Sequence, residues 1–166
     1  MEHYGADAVR YYLLRGFSTF ADGDFSSQQL GQIYHADLAN GLGNLVSRLT
    51  ALGERGAYGR CCFPKVPPPP KGYADAVEDY AFGRALESLW ATVGRLNREI
   101  DAHRPWDWLK QKEMDKLNAH LDLWLEDLYG VGYWLQPFLP VTSQRLLDLL
   151  TREEISAFNS LFPRKL

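Results

Sequence analysis

The fold is decided by residues 38–52, which read LANGLGNLVSRLTAL. Leucines recur in this stretch at intervals of three and four residues, a spacing that places them on one face of an α-helix. Working outward, Ser26 is a suitable N-cap on the amino-terminal side, and Gly53 and Gly56 begin to interrupt the helix on the other side. We therefore expect one long amphipathic helix from Ser26 to about Arg55.

The same spacing of apolar residues predicts further helices along the chain. They are expected at residues 5–15, from about Tyr73 to Ala102, near 106–111, from about Met114 to Leu135, and at about 144–150 after a cap at Thr142 or Ser143. The proline run 67–70 is extended and semi-rigid, and we interpret it as a stiff connector between antiparallel helices rather than as a ligand for an aromatic groove. No segment alternates strongly enough to predict a strand. The expected fold is an all-α bundle of five to six helices with up-down connectivity.

Composition and charge narrow the classes of function. The 166 residues, of which 46% are hydrophobic and 23% charged, are enough for one domain with a substantial core. No apolar run approaches the ~18 residues of a membrane span, no secretory signal is expected at the start, and a cytoplasmic location is the default. The adjacent Cys61 and Cys62 lack the spacing of a zinc site, so no metal is expected. A net charge of −3 argues against a general RNA-coating protein but allows a reader of single-stranded loops, which uses stacking and hydrogen bonds to bases.

Four segments, taken in their order and spacing, resemble one known family. They are YGADAVRYYLLR at 4–15, DGDFS at 22–26, NGLGNLVSR at 40–48 and NREIDAHRPW at 97–106. Over nearly the whole chain they resemble the anticodon-binding domain of bacterial-type methionyl-tRNA synthetases. The first segment is shared loosely with other class I synthetases, whereas the second segment and the Pro-Trp step narrow the resemblance to the methionine enzymes. It implies that residues 1–25 are the connecting segment that follows the ATP loop in the full enzyme, and that residues 26–166 form the anticodon-binding helical bundle.

Asn44 and Arg48 are the first candidate site residues. They are four residues apart on the predicted helix and therefore share a face, beside the leucine stripe. Asparagine offers a donor and an acceptor, and arginine offers a planar fork of donors, so that the pair can satisfy the Watson–Crick edge of an unstacked base. From the residues alone, a solvated surface pair is the simpler interpretation. The resemblance implies that this segment carries anticodon contacts.

Trp106 is the candidate stacking residue. It follows Pro105 at the predicted end of a helix, where a bend can present the face of the ring outward. The resemblance implies that Trp106 stacks on an anticodon base and that Pro105 is its rigid support. The other tryptophans fit apolar stripes and are assigned to the core; they are Trp90, Trp108, Trp124 and Trp134.

Asn97 and Asp101 form a second pair with a spacing of four residues, just before the bend. The family usually has Asn and Asp here, and this chain departs from its pattern at Glu99, where an aromatic residue is common. The two side chains are expected to support the site by hydrogen bonds, with direct contact to the anticodon as the alternative.

The resemblance implies recognition of the CAU anticodon of methionine tRNAs, in support of the attachment of methionine to its tRNA with ATP. The implied partners are the anticodon loop and the catalytic domain of the same enzyme, which would use ATP with magnesium. This sequence contains neither the H-x-G-H nor the K-M-S-K-S signature, and no catalytic residue is assigned. The chain alone is therefore expected to be inactive and to bind no cofactor. The competing interpretation is a non-catalytic helical module, derived from a synthetase, that docks another protein.

Overall fold

The computed structural model describes residues 4–18, 20, 22–59, 63, 65–158 and 160–163. Its helices, in chain order, are α1 (Ala6–Gly16), α2 (Ser27–Ile33), a π-helical segment (Tyr34–Gly43), α3 (Asn44–Arg55), α4 (Tyr73–Glu78), α5 (Phe82–His103), α6 (Pro105–Gln111), α7 (Met114–Trp134) and α8 (Pro140–Leu150). Across the described ranges the only extended pairing is an isolated bridge between Gly59 and Glu154. The all-α bundle expected from the sequence is confirmed.

The predicted long helix is a continuous helical path from Ser27 to Arg55, but it changes type in its middle third. Ser26 caps it as expected, because its hydroxyl accepts a hydrogen bond from the backbone N–H of Gln29 at 3.3 Å. The π-helical segment ends at Gly43, where a Cβ would lie 3.0 Å from the carbonyl oxygen of Leu38, five residues earlier. The missing side chain thus gives room for the wider turn of this segment.

The leucine stripe of residues 38–52 lies in the core, as its spacing predicted. Its members are all buried; they are Leu38, Leu42, Leu45, Leu49 and Leu52. They pack together with the inward face of α5, which contributes Leu86, Leu89, Val93, Leu96 and Ile100. Helix α5 contacts α1, α3, α4, α7 and the π-helical segment, so it is the central helix against which the candidate site is built.

Two of the predicted helices differ from the expectation. The helix predicted from about Tyr73 to Ala102 is divided into α4 and α5, because Tyr80 adopts a left-handed conformation with φ of 57°. The last helix begins at Pro140, and Thr142 lies inside its first turn instead of capping it. Its cap comes from a distant part of the chain, since the carboxylate of Asp7 accepts a hydrogen bond from the N–H of Thr142 at 2.7 Å. A partner 135 residues away could not be read from local sequence.

The proline run passes over the end of α7 without regular secondary structure. The indole N–H of Trp134 donates to the carbonyl of Pro67 at 2.9 Å, and a Cβ on Gly130 would come within 3.2 Å of the Pro67 ring. Glycine at position 130 therefore allows the close approach of connector and helix.

Two kinds of feature are not found in the part of the chain that the structure describes. No helix there is long and apolar enough to cross a membrane. No three His, Cys, Asp or Glu side chains come together there in a way that could hold a metal ion. Cys61 and Cys62 lie outside the described residues.

Candidate nucleic-acid interface

The corner between α5 and α6 positions Trp106. Helix α5 ends because Arg104 adopts a left-handed conformation, with φ of 51° and ψ of 57°, and Pro105 then occupies the first position of α6. A proline is favoured there, since its missing N–H would have no partner in the helix. Arg104 also donates from Nε to Asp107 at 2.9 Å, which braces the first turn. Pro105 is buried, whereas Trp106 is half-buried and packs against the core with part of its ring accessible.

Arg48 is held between α3 and α5 by both members of the Asn97–Asp101 pair. Its Nη2 lies 2.5 Å from Oδ1 of Asp101 in an ion pair, and its Nη1 donates to Oδ1 of Asn97 at 3.4 Å. The Arg48 side chain is 24% exposed and that of Asp101 is 66% exposed. The guanidinium is therefore restrained in direction while it remains accessible at the surface of the bundle.

Asn97 also ties α5 to the π-helical segment. Its amide Nδ2 donates to the carbonyl of Val93 at 3.1 Å within α5 and to the carbonyl of Gly41 at 3.4 Å across the interface. Since its oxygen accepts from Arg48, this one side chain links three parts of the site. Asn97 and Asp101 thus both contact Arg48, and their role in supporting an anticodon site stays a prediction.

Asn44 stands apart from this network. It is the first residue of α3 and is exposed, one turn before Arg48 on the same helix. No hydrogen bond joins its side chain to another described residue. Its amide is therefore available on the surface beside Arg48.

A cavity of about 190 Å³ lies between α3, α5 and α6. Its lining residues are Arg48, Ala51, Leu52, Arg55, Ile100 and Trp106. Leu52 and Ile100 are buried and form an apolar floor, while the two arginines and the tryptophan stand at the sides. The structure thus brings Trp106 and Arg48 to one cavity, although they are far apart in sequence. Asn44 and Asn97 do not line it.

The tryptophans assigned to the core divide into two groups. Trp108 and Trp124 are buried, as expected. Trp90 and Trp134 are half-buried, and each donates its indole N–H to a backbone carbonyl, at 3.3 Å to Asp37 and 2.9 Å to Pro67 respectively. An amphipathic ring can fill an apolar stripe and still need a polar partner at its edge, a distinction that helical spacing does not reveal.

Sequence reasoning missed four residues of the cavity. Ala51, Leu52 and Ile100 read simply as helix and core, and Arg55 read as the end of a helix. A signal was present for Arg55, because it follows Arg48 by seven residues, or about two helical turns, and so returns to the same face. Nothing in the sequence indicated that Ile100, a core residue, would also line a cavity.

Glu99, the residue that departs from the family pattern, has a structural role. One carboxylate oxygen accepts from Arg95 at 2.8 Å and the other from the indole N–H of Trp124 at 3.0 Å, so that it links α5 to α7. Partial burial alone would raise the pKa of Glu99, but the hydrogen bonds from Arg95 and Trp124 outweigh it and hold the pKa below its ordinary value. Glu99 faces α7, whereas Asn97 and Asp101 face α3, so the departure leaves the candidate site intact.

The comparisons with known proteins all indicate the same family. The family described as tRNA synthetases class I (M) matches residues 1–50. The methionine–tRNA ligase of Bacillus subtilis is 33% identical over 97% of this chain and 27% of its own length, and that of Fusobacterium nucleatum is 31% identical over 90% of this chain and 26% of its own length. The chain therefore spans about a quarter of the length of these curated relatives.

Solved structures agree with this relationship. The free-state crystal structure of Mycobacterium tuberculosis methionyl-tRNA synthetase superposes with a TM-score of 0.82 at 25% identity, covering 99% of this chain and 40% of that protein. The same enzyme bound by methionyl-adenylate gives a TM-score of 0.82 over 98% of this chain. Sequence and fold agree along nearly all of these 166 residues, and the chain belongs to the methionyl-tRNA synthetase family of class I.

Proposed function

We propose that this chain reads the CAU anticodon of methionine tRNAs, as the tRNA-recognising part of a methionine–tRNA ligase. The observation that carries the proposal is the cavity between α3, α5 and α6, where an accessible tryptophan and a restrained arginine meet over an apolar floor. Single-stranded RNA loops are recognised by this combination, since each unstacked base offers a face for stacking and an edge for hydrogen bonds.

The contacts of each candidate residue are compatible with a specific role in binding an RNA loop. Trp106, supported by the buried Pro105, offers a face for one base. Arg48 uses two of its nitrogens on Asp101 and Asn97, and a guanidinium has further N–H donors that can bind a base edge. Asn44 offers its amide beside it. Asp101 and Asn97 restrain the guanidinium, so that the RNA loop would bind a side chain that is already oriented.

The charge distribution suits a reader of bases more than a binder of phosphates. The chain carries a net charge of −3, so there is no strong overall attraction to RNA. At the site, the ion pair with Asp101 neutralises Arg48 locally. Base contacts rather than phosphate contacts carry sequence information, and selectivity for one anticodon follows from them.

The wider activity belongs to the same proposal. The aminoacylation of tRNA with methionine and ATP would take place in a catalytic domain of the same enzyme, which would be a partner of this chain in the cytoplasm. Residues 1–25 would form the connection to that domain, and residues 26–166 the anticodon-binding bundle. The described residues offer no group of three or more His, Cys, Asp or Glu side chains that could hold a metal ion.

Binding of a CAU anticodon stem-loop by the 166-residue chain tests the proposal. The comparison is with a stem-loop that differs at one anticodon base, at fixed salt. We expect the matched loop to bind more tightly, by about 1–3 kcal/mol for a lost set of base-edge contacts. Equal binding of both loops, or no binding of either, would remove the proposed function.

A protein-docking module is the alternative, and one observation favours it. Phe20 is 80% exposed and lines a second cavity, of about 330 Å³, together with Arg15 and Arg84 at the meeting point of α1 and the turn before α5. An exposed aromatic side chain beside arginines is common in protein interfaces. If the stem-loops are not bound, this surface can be tested with the Phe20→Ser variant. The measurement is association of the variant and of the unmodified chain with a separately prepared catalytic domain.

A further inference from the structure

Arg55 is the residue of the cavity that the anticodon proposal leaves without a role. It lies in the last turn of α3, is exposed, and lines the cavity beside Trp106 and Arg48. No ion pair or hydrogen bond joins its side chain to another described residue. Within the described part of the chain, no carboxylate lines the cavity. Among the described residues, the Arg55 guanidinium thus lines an apolar cavity without a charged partner.

The two arginines of the cavity differ in whether an ion pair compensates their charge. Arg48 is paired with Asp101 at 2.5 Å, so its charge is largely cancelled and its direction is restrained. Arg55 has no such partner among the described residues, so no ion pair cancels its charge at the cavity. In a protein whose net charge is −3, this local positive charge is the feature that favours an anionic group here.

The size of the cavity limits what it can hold. At about 190 Å³ it is smaller than the ~300–1,000 Å³ of cavities that enclose drug-sized ligands. It suits one planar ring between the Trp106 face and the apolar floor, with the remainder of the ligand outside. A nucleotide has this construction, because its ring is apolar on both faces and its phosphate is carried on the outside.

We propose that Arg55 binds the backbone phosphate of the nucleotide whose base enters this cavity. The inference rests on the proposed binding of an anticodon loop and assigns different contacts to the two arginines. Arg48 contacts the base, and Arg55 binds the phosphate. Because a phosphate contact is independent of sequence, Arg55 strengthens the binding of all loops alike. It also supplies salt dependence that the neutralised Arg48 does not.

The salt dependence of binding tests the role of Arg55. Arg55→Gln removes the charge and keeps a residue that favours helix, and Arg55→Lys keeps the charge. For Arg55→Gln we expect a two- to fivefold weaker affinity for matched and mismatched loops alike. The slope of the logarithm of the binding constant against the logarithm of the salt concentration should also be lower in magnitude by about 0.7 to 1. Arg55→Lys should retain most of this slope. Arg145→Gln is the matched control, because Arg145 is an exposed arginine on α8, which does not line this cavity.

A loop in which single phosphates are replaced by neutral methylphosphonates identifies the contact. At one position of the loop, neutralisation should weaken binding to the unmodified protein and leave binding to Arg55→Gln unchanged, as in a double-mutant cycle. If every position gives the same loss with both proteins, Arg55 contacts no phosphate and the inference is wrong.

The outcomes separate this inference from the function on which it rests. If the unmodified chain does not discriminate CAU from a one-base variant, the proposed function fails, and the phosphate role fails with it. If discrimination is present but Arg55→Gln behaves like Arg145→Gln, only the role of Arg55 is overturned. If Arg55→Gln loses discrimination at an unchanged salt slope, Arg55 contacts a base, which also overturns the phosphate assignment.

Discussion

At the scale of single residues, the candidate site depends on one arginine whose orientation is set by its neighbours. Arg48 is bound by Asp101 and Asn97, and Asn97 is in turn bound to the backbone of α5 and of the π-helical segment. The donors of Arg48 are therefore directed before any ligand arrives. Under the proposed function, the side chain at position 48 should therefore affect discrimination between anticodons as well as affinity.

Arg48→Ala should relax the discrimination between CAU and a one-base variant by about 1–3 kcal/mol. Stability should change by less than about 1 kcal/mol, because the ion pair that is lost has an exposed partner in Asp101. Stem-loop titrations at fixed salt and urea unfolding measure the two effects. An equal loss for both loops together with a flatter salt slope would make Arg48 an electrostatic anchor, and the base reader would then have to be sought among Asn44, Asn97 and Trp106.

Trp106→Ala should weaken stem-loop binding by about 1–3 kcal/mol, through loss of a stacking face. Because Trp106 is half-buried against the core, the same change should also lower stability. Trp106→Leu separates these effects, since leucine retains apolar packing without an aromatic face. We expect Trp106→Leu to bind as weakly as Trp106→Ala while it keeps more of the thermal stability. Restored stem-loop binding in Trp106→Leu would show that binding depends on apolar packing at position 106 and not on aromatic stacking.

At the scale of elements, α6 is the short helix on which the presentation of Trp106 depends, and its carboxyl-terminal end has an unfavourable residue. The N–H of Glu113 bonds to the carbonyl of Trp108 at 2.9 Å, and the N–H of Lys112 bonds to that of Leu109 at 3.4 Å. This is the hydrogen-bond pattern of a Schellman motif, in which glycine is preferred at the left-handed position. Here that position is occupied by Lys112, with φ of 58°.

Lys112→Gly should therefore stabilise the protein by about 0.5–1 kcal/mol. A left-handed conformation costs an L-residue about 1–2 kcal/mol, and the greater flexibility of unfolded glycine offsets about 0.5–1 kcal/mol of the gain. Urea unfolding measures the difference, with Lys110→Gly as the control, because Lys110 lies within α6 and glycine there should destabilise. A destabilising Lys112→Gly would mean that contacts of the lysine side chain outweigh its backbone strain.

At the scale of the whole molecule, α1 is joined to the bundle by buried tyrosines as well as by apolar packing. The hydroxyl of Tyr11 donates to Asp37 at 2.8 Å, and Arg15 in the next turn pairs with Glu87 on α5 at 2.9 Å. At the other side, the hydroxyl of Tyr73 donates to the carbonyl of Trp134 at 2.7 Å and so joins α4 to α7. These contacts make the stability of the bundle dependent on neutral tyrosines.

Stability should therefore fall at alkaline pH. Burial raises the pKa of Tyr73 from its ordinary value of 10.0 to about 12, and burial next to Asp37 raises that of Tyr11 as well. Unfolded tyrosines ionise near their ordinary pKa while the folded ones stay neutral, so this stability is fully present below pH 10 and is lost as the pH rises toward 12. Urea midpoints across this range measure the decline. Tyr73→Phe should be less stable at neutral pH, by about 1 kcal/mol for one hydrogen bond, and should decline less steeply. If stability declines with pH equally steeply in Tyr73→Phe, then Tyr73 does not contribute to the alkaline loss of stability.

The isolated 166-residue chain should show no methionine-dependent exchange between ATP and pyrophosphate. Its sequence contains neither of the two nucleotide-binding signatures of class I synthetases. The assay needs a full-length methionyl-tRNA synthetase as the positive control. Exchange by the purified chain above the level of a buffer blank would contradict this prediction.

The amino-acid sequence by itself determined the class of fold and the composition of the core. The leucines of residues 38–52 are spaced for one helical face, and that local periodicity is sufficient to predict both the helix and its buried side. It also indicated the segment before Trp106 as a bend, because proline constrains the residue before it and Arg104 is indeed non-helical. Asn44, Arg48 and Trp106 were named from local spacing and from the resemblance to a family, whereas Arg55 was not.

Only the tertiary structure decided which of these residues meet. The Arg48–Asp101 ion pair joins positions 53 residues apart, and the cap of α8 by Asp7 joins positions 135 residues apart. Such pairs depend on how helices cross, which is determined by the packing of whole side-chain surfaces and not by the spacing along any one helix. For the same reason the cavity that unites Trp106, Arg48 and Arg55 was not predictable: it exists where α3, α5 and α6 meet, and its lining residues come from all three helices.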